Sequence, residues 1–249
     1  MKGLFRLISA LYLVLLFGCL TSTNAGKKHT KKTLGADTLK DVQISLPILG
    51  YNGANLHRFY KTADTSLIPN MGFLRFPGGS VSAIYSTDGP GYGVDKDAMN
   101  MVTGNIRQHL DKVAKKNPNT RENARKTAAL FCKNHNAQVL IVANLLKEST
   151  SDLERLILYF KKEQIPIAGV ELGNEYYLKA YNNVFPTADH YLDKARLFAS
   201  AVNRIDSSIR IGVVVAPNAF LKAGGNHDRY DEWNNSVAET INPFWNAVI

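Results

Sequence analysis

The chain has 249 residues, 45% of them hydrophobic, with 30 Lys and Arg against 21 Asp and Glu, and two cysteines. That is enough apolar material for one globular domain with a sizeable core, and too few cysteines for a disulfide scaffold. The formal charge of +9 sits mostly in the first 32 residues, which hold six bases and no acid; the rest, with 24 bases and 21 acids, lacks the excess of a nucleic-acid-binding surface.

Lys2 and Arg6 precede the apolar run Leu7 to Leu20, and Thr21-Ser22-Thr23-Asn24-Ala25 follows it. The run is short for a membrane span of about 20 residues and has the form of a secretory signal over residues 1–25. Leu16-Phe17-Gly18-Cys19 also resembles a lipobox, so two routes stay open: release after Ala25, or membrane attachment through a lipidated Cys19. Either makes the protein secreted or places it at the cell surface or in the periplasm. Residues 26–41, with Lys27-Lys28-His29-Thr30-Lys31-Lys32, have almost nothing apolar to bury and read as a basic linker to a domain at 42–249.

Within that domain short apolar runs alternate with longer helical patterns. Strands are expected at Ile48–Tyr51, Gly72–Phe76, Val139–Ala143, Ala168–Leu172 and Ile211–Val215. A helix occupies 120–134. Another opens at Ser151-Asp152-Leu153-Glu154, puts Leu153, Leu156, Ile157 and Phe160 on one face and ends before Pro166. A third opens at Thr187-Ala188-Asp189 with Tyr191, Ala195, Phe198, Ala199 and Val202 inward. Residues 78–119 read as a long insertion, and Phe244–Ile249 as the start of a sixth strand. The alternation predicts an α/β fold with parallel strands, in the manner of a (β/α)8 TIM barrel cut after about five to six units.

In such a barrel the strands' C-terminal ends carry the chemistry. Val170-Glu171-Leu172-Gly173-Asn174-Glu175-Tyr176-Tyr177 places Glu175 there. Continued strand alternation would set Glu171 on the same side but deeper, as a buried, paired charge. Arg75 in Leu74-Arg75-Phe76-Pro77-Gly78-Gly79 needs an acid as partner if it points inward. The Pro-Gly-Gly turn either admits a ligand closely or is an ordinary tight turn.

These two motifs, about ninety residues apart and each at a strand end, resemble those of the clan A glycoside hydrolases, within them the α-L-arabinofuranosidase and heparanase/β-glucuronidase-like families. The resemblance covers residues 45–249. It implies that Glu175 is the general acid/base, that Asn174 hydrogen-bonds the hydroxyl beside the reacting carbon, that Arg75 supports the carboxylates, and that Asn144 and Tyr177 contact carbohydrate. Tyr176 and Tyr51 are further candidates to stack on sugar rings, or they pack under loops. A retaining reaction also needs a nucleophilic carboxylate about 5–5.5 Å from the acid. In these families it is a Glu ending strand seven, and the chain as given stops at Ile249 before one. Glu232 and Glu239 do not match it, so the expectation is an acid/base without its nucleophile, or a surface carbohydrate-binding protein derived from the same barrel.

No cofactor or metal is implied: His109 and His227-Asp228 lack ligand spacing, and Gly89-Pro90-Gly91-Tyr92-Gly93 follows no strand. Cys132, in Ala-Ala-Leu-Phe-Cys, reads as a small buried hydrophobe. Asn234-Asn235-Ser236 is a glycosylation sequon of consequence only in a eukaryotic secretory path.

Overall fold

A computed structural model describes residues 50–53, 72–87, 95–116, 124–217 and 227–240. The expected signal, the basic linker, the Gly89–Gly93 loop and the sixth strand lie outside the described residues.

Strands β1 (Gly50–Asn52) and β2 (Phe73–Phe76) come first. A 3-10 turn at Gly79–Ile84 follows, then α1 (Lys96–Asn100), α2 (Gly104–Lys116) and α3 (Ala124–His135). The chain continues through β3 (Gln138–Val142), α4 (Thr150–Lys162), β4 (Ile167–Glu171), a 3-10 turn at Lys179–Tyr181, α5 (Ala188–Ile205), β5 (Ile211–Gly212) and α6 (His227–Thr240). The stretch expected to be an insertion is thus built largely of a 3-10 turn and two helices.

All five strands are parallel and lie in the order β1-β2-β3-β4-β5. A doubly wound sheet reverses its strand order at a switch point, and among the described residues the strand order does not reverse. With right-handed crossovers, an unreversed order sends successive helices to one face, as in the wall of a barrel. The strand centres bury Leu74, Phe76, Val139, Ile141 and Val170, each at most 1% exposed, which accounts for their continuous apolar character.

Helix α4 shows how the sequence sets an element's start. Ser149, two residues before the expected opening, is its N-cap: the Ser149 hydroxyl accepts from the Asp152 amide at 3.3 Å, and the Asp152 carboxylate accepts from the Ser149 amide at 2.6 Å. This reciprocal cap contributes on the order of 1 kcal/mol. The buried face is Leu153, Leu156, Ile157 and Phe160, as the periodicity predicts.

The fifth strand is shorter than its apolar run. Its ladder ends at Gly212, because β4 stops at Glu171 and turns away after Leu172, whose amide makes the last bond, to Gly212 O at 2.8 Å. Side chains secure the next residues. The Val214 amide donates to the Tyr191 hydroxyl at 2.9 Å, Trp233 Nε1 donates to Val214 O at 2.9 Å, and Asn234 exchanges two bonds with the Ala216 backbone at 2.8 and 2.9 Å. The sequon asparagine is therefore engaged in packing the fold.

Candidate active site

A cavity of about 140 Å³ opens at the C-terminal ends of β2, β4 and β5, lined among others by Arg75, Glu171, Asn174, Glu175, Tyr177 and Val214. Arg75 comes from β2, whose register sets it beside Leu140 of β3. It reaches across to the last residue of β4: Arg75 Nε donates to the two Glu171 carboxylate oxygens at 3.0 and 2.8 Å, and Nη2 to Oε2 at 2.5 Å. The Glu171 side chain is 7% exposed and that of Arg75 21%, so the inward arginine has the partner its burial demands.

The network runs on through Asn174. Arg75 Nη2 donates to Asn174 Oδ1 at 3.0 Å, and Asn174 Nδ2 donates to Glu175 Oε2 at 3.1 Å. Asn174 therefore has both ends of its amide in use, and its orientation is dictated by a cation on one side and a carboxylate on the other. Tyr177 lines the same cavity beside Glu175. Burial first, and then the Glu175 charge, hold the Tyr177 phenol above its ordinary range, so it remains a proton donor at neutral pH.

Glu175 reaches this position by a bend, not by strand alternation. The ladder ends at Glu171, Gly173 has φ of 105°, and Glu175 itself sits in the left-handed region at φ 54°. A Cβ on Gly173 would fall 2.0 Å from the Tyr176 ring, so both conformation and space require glycine there. Left-handed non-glycine backbone is costly and concentrates at functional sites.

The Pro-Gly-Gly turn is likewise filled by the protein. Gly78 has φ of 69°, and a Cβ on it would lie 1.9 Å from Asn52 Oδ1 and 2.8 Å from the Arg75 carbonyl. Its glycine lets the turn after β2 lie against the Asn52 side chain at the end of β1.

Of the other candidates, Tyr177 joins the cavity and Asn144 does not line it. Asn144 is 1% exposed; its Nδ2 donates to Tyr85 O at 2.9 Å and its Oδ1 accepts from the Leu146 amide at 3.0 Å. Its role in this state is to shape the loop after β3. Tyr176 is fully buried, its hydroxyl accepting from the Leu145 amide at 3.1 Å. Tyr191, read from the sequence as an inward helix residue, is a bolt between strand ends: its hydroxyl donates to Leu172 O at 2.9 Å while accepting from Val214. Tyr51 packs edge-on against Phe131 with centroids 6.1 Å apart. Cys132 is buried, and burial pushes its thiol up to about 12, which keeps it protonated and unreactive. Among the described residues no group of three or more His, Cys, Asp and Glu is placed to hold a metal ion.

Fold and site together define a parallel α/β domain with a tethered carboxylate in a polar cavity at its strand ends. No family model matches the chain, and no curated protein matches it. Solved structures do. One is a thermostable GH51 α-L-arabinofuranosidase from Thermotoga petrophila RKU-1, at 15% identity and a TM-score of 0.39, covering 60% of this chain and 32% of that one. Another is an α-L-arabinofuranosidase from Thermotoga maritima in complex with arabinose, at 16% identity and a TM-score of 0.40, with the same coverage. The chain thus spans about a third of the length of the solved structures it matches. Likeness at this level assigns no activity.

Proposed function

We propose that this chain forms the acid/base side of a retaining glycoside hydrolase active site, on the wall of a (β/α)8 barrel, in an exported protein that acts on oligosaccharide or polysaccharide. The observation that carries the reading is Glu175 itself: a carboxylate at a parallel-strand end, set by a left-handed bend, hydrogen-bonded by Asn174 and lining the cavity beside Tyr177. A general acid must be held within hydrogen-bond reach of the leaving oxygen, and Asn174 holds Glu175 at the cavity wall. Asn174, oriented by Arg75 and lining the cavity, keeps a second N–H and a second oxygen lone pair with which to bind a sugar hydroxyl. Glu171, through its pairing with Arg75, keeps that arginine from pairing with Glu175. The putting-on of a proton at the leaving oxygen by Glu175 would be followed by its return from water in the second step.

One feature favours a second reading. The other carboxylate lining the described cavity, Glu171, is committed to Arg75 by three contacts, so the nucleophile has to come from outside the described residues. A chain acting without one would bind carbohydrate and not cleave it.

The test uses 4-nitrophenyl α-L-arabinofuranoside and β-D-glucuronide. Hydrolysis with retained anomeric configuration, reduced about 10²–10⁴-fold in Glu175→Gln with binding kept, supports the enzyme. Binding of sugar by the parent without turnover supports the binding protein. Turnover that Glu175→Gln leaves unchanged rejects Glu175 as the acid.

A further inference from the structure

The loop that carries Glu175 leaves β4 and returns to α5, and its two ends are tied by one side chain from a distant element. Arg229, in the first turn of α6, is 8% exposed. Its Nε donates to Tyr177 O at 2.5 Å, Nη2 to Tyr176 O at 3.0 Å and to Phe185 O at 2.8 Å, and Nη1 to Pro186 O at 2.9 Å. All four acceptors are backbone carbonyls, two immediately after Glu175 and two immediately before Thr187, the N-cap of α5. The guanidinium also lies over the Trp233 ring at 5.4 Å, and Tyr177 packs edge-on against Tyr230 at 5.3 Å.

We propose that Arg229 is a positioning residue for Glu175: its planar fork fixes the carbonyls of Tyr176 and Tyr177, the two residues that follow Glu175 at its left-handed bend. This inference rests on the acid/base reading of Glu175. A guanidinium presents five N–H donors in a rigid plane, and here one fork joins residues 176–177 to residues 185–186, a task that an ammonium point charge with three donors does not perform. The same helix governs the opposite wall, because Trp233 and Asn234 hold the Val214–Ala216 backbone beyond the end of the β5 ladder. Helix α6 thus sets both sides of the cavity, with Arg229 acting on the side that bears the carboxylate.

The experiment uses the full chain labelled with ¹³C-carboxyl glutamate. The Glu175 resonance is assigned by its loss in Glu175→Gln, and that of Glu171 by its loss in Glu171→Gln. In Arg229→Lys with a parental far-ultraviolet circular dichroism spectrum, the Glu175 resonance is expected to move at constant pH while that of Glu171, held by Arg75, stays. Amide exchange over 176–187 should quicken by about tenfold. An unmoved Glu175 resonance, or equal movement of both, overturns the proposal.

Where Arg229→Lys fails to fold, Arg229→Gln, a neutral side chain that keeps two donors, takes its place, and the Glu175 resonance should again move while that of Glu171 stays. A Glu175 resonance that stays in the folded variant overturns the proposal. Where glycoside hydrolysis is measurable, Arg229→Lys should lower kcat by about 10–100-fold with KM little changed. A parent without hydrolysis counts against the catalytic reading alone, since the resonance test stands without turnover.

Discussion

The two ends of the sheet each carry a hollow and an ion pair, and they differ in what surrounds the charges. At the N-terminal end a groove of about 350 Å³ is lined by Lys161, Gln164, Pro166, Asp206 and Ser208 with three isoleucines, and Lys161 meets Asp206 at 2.5 Å with side chains 37% and 29% exposed. At the C-terminal end the cavity is smaller, about 140 Å³, but its ion pair is more deeply buried and continues through Asn174 to an acid. Volume therefore does not mark the chemically equipped end. Convergence of polar groups on one carboxylate does, because buried hydrogen bonds hold geometry that exposed pairs leave to solvent.

The sharpest way to break this contrast is to remove one member of the deeper pair. Arg75→Met strands Glu171 in a site that is 7% exposed, and urea unfolding should show a loss of about 3 kcal/mol, at the low end for buried pairs because Arg75 is a fifth exposed. The double variant Arg75→Met/Glu171→Leu should recover most of it, since an apolar replacement leaves no orphaned charge. Full loss in the double variant would mean that the pair shapes the strands and does not merely neutralise itself.

Backbone conformation separates the two ends with opposite signs. Gly173→Ala at the C-terminal end forces a Cβ into a fully buried Tyr176 ring at φ 105°, and should destabilise by about 2 kcal/mol. At the N-terminal end Gln164 is left-handed at φ 59° and exposed, so Gln164→Gly should stabilise by about 0.5–1 kcal/mol by relieving the Cβ penalty. Chemical denaturation measures both, and destabilisation by Gln164→Gly would show that its side chain earns its place by contacts.

The sequence made the parallel α/β alternation legible because fully buried strands leave uninterrupted apolar runs, as at 139–143 and 168–172. That Arg75 and Glu171 each need a partner was also legible, since neither tolerates burial alone; that they partner each other was not, because the pairing joins strands 96 positions apart. The bend at 172–175 was not: alternation extrapolates a strand straight through Gly173, and only a competing glycine signal hints that it stops. Asn144 came in through the family resemblance alone, and its backbone partners at Tyr85 and Leu146 come from loop geometry that periodicity does not encode. Arg229 carried no signal at all. Its meaning depends on carbonyls some fifty positions away in the chain, and backbone acceptors are present in every residue.

The smallest effect belongs to the exposed pair, and pH reveals it better than stability at neutrality. The Lys161 hydrogen bond foremost, with the Ser208 hydroxyl and amide, lowers Asp206 from 3.8 to about 2. A carboxylate depressed in the folded state adds stability that is fully present above its unfolded value and is lost as pH falls through the folded one. The contribution of Asp206 is therefore present above about pH 4 and fades between pH 4 and 2. Asp206→Asn keeps an acceptor for Ser208 and removes the charge together with the oxygen that accepts from Lys161, so the acid limb of its stability profile should be flatter than the parent's across that window. In 1 M salt, where the Debye length falls to about 3 Å, the two profiles should draw together. A parental slope retained in Asp206→Asn would assign the acid sensitivity of this end to other carboxylates, with Glu163, lowered chiefly by its hydrogen bond from Lys133, the next to test.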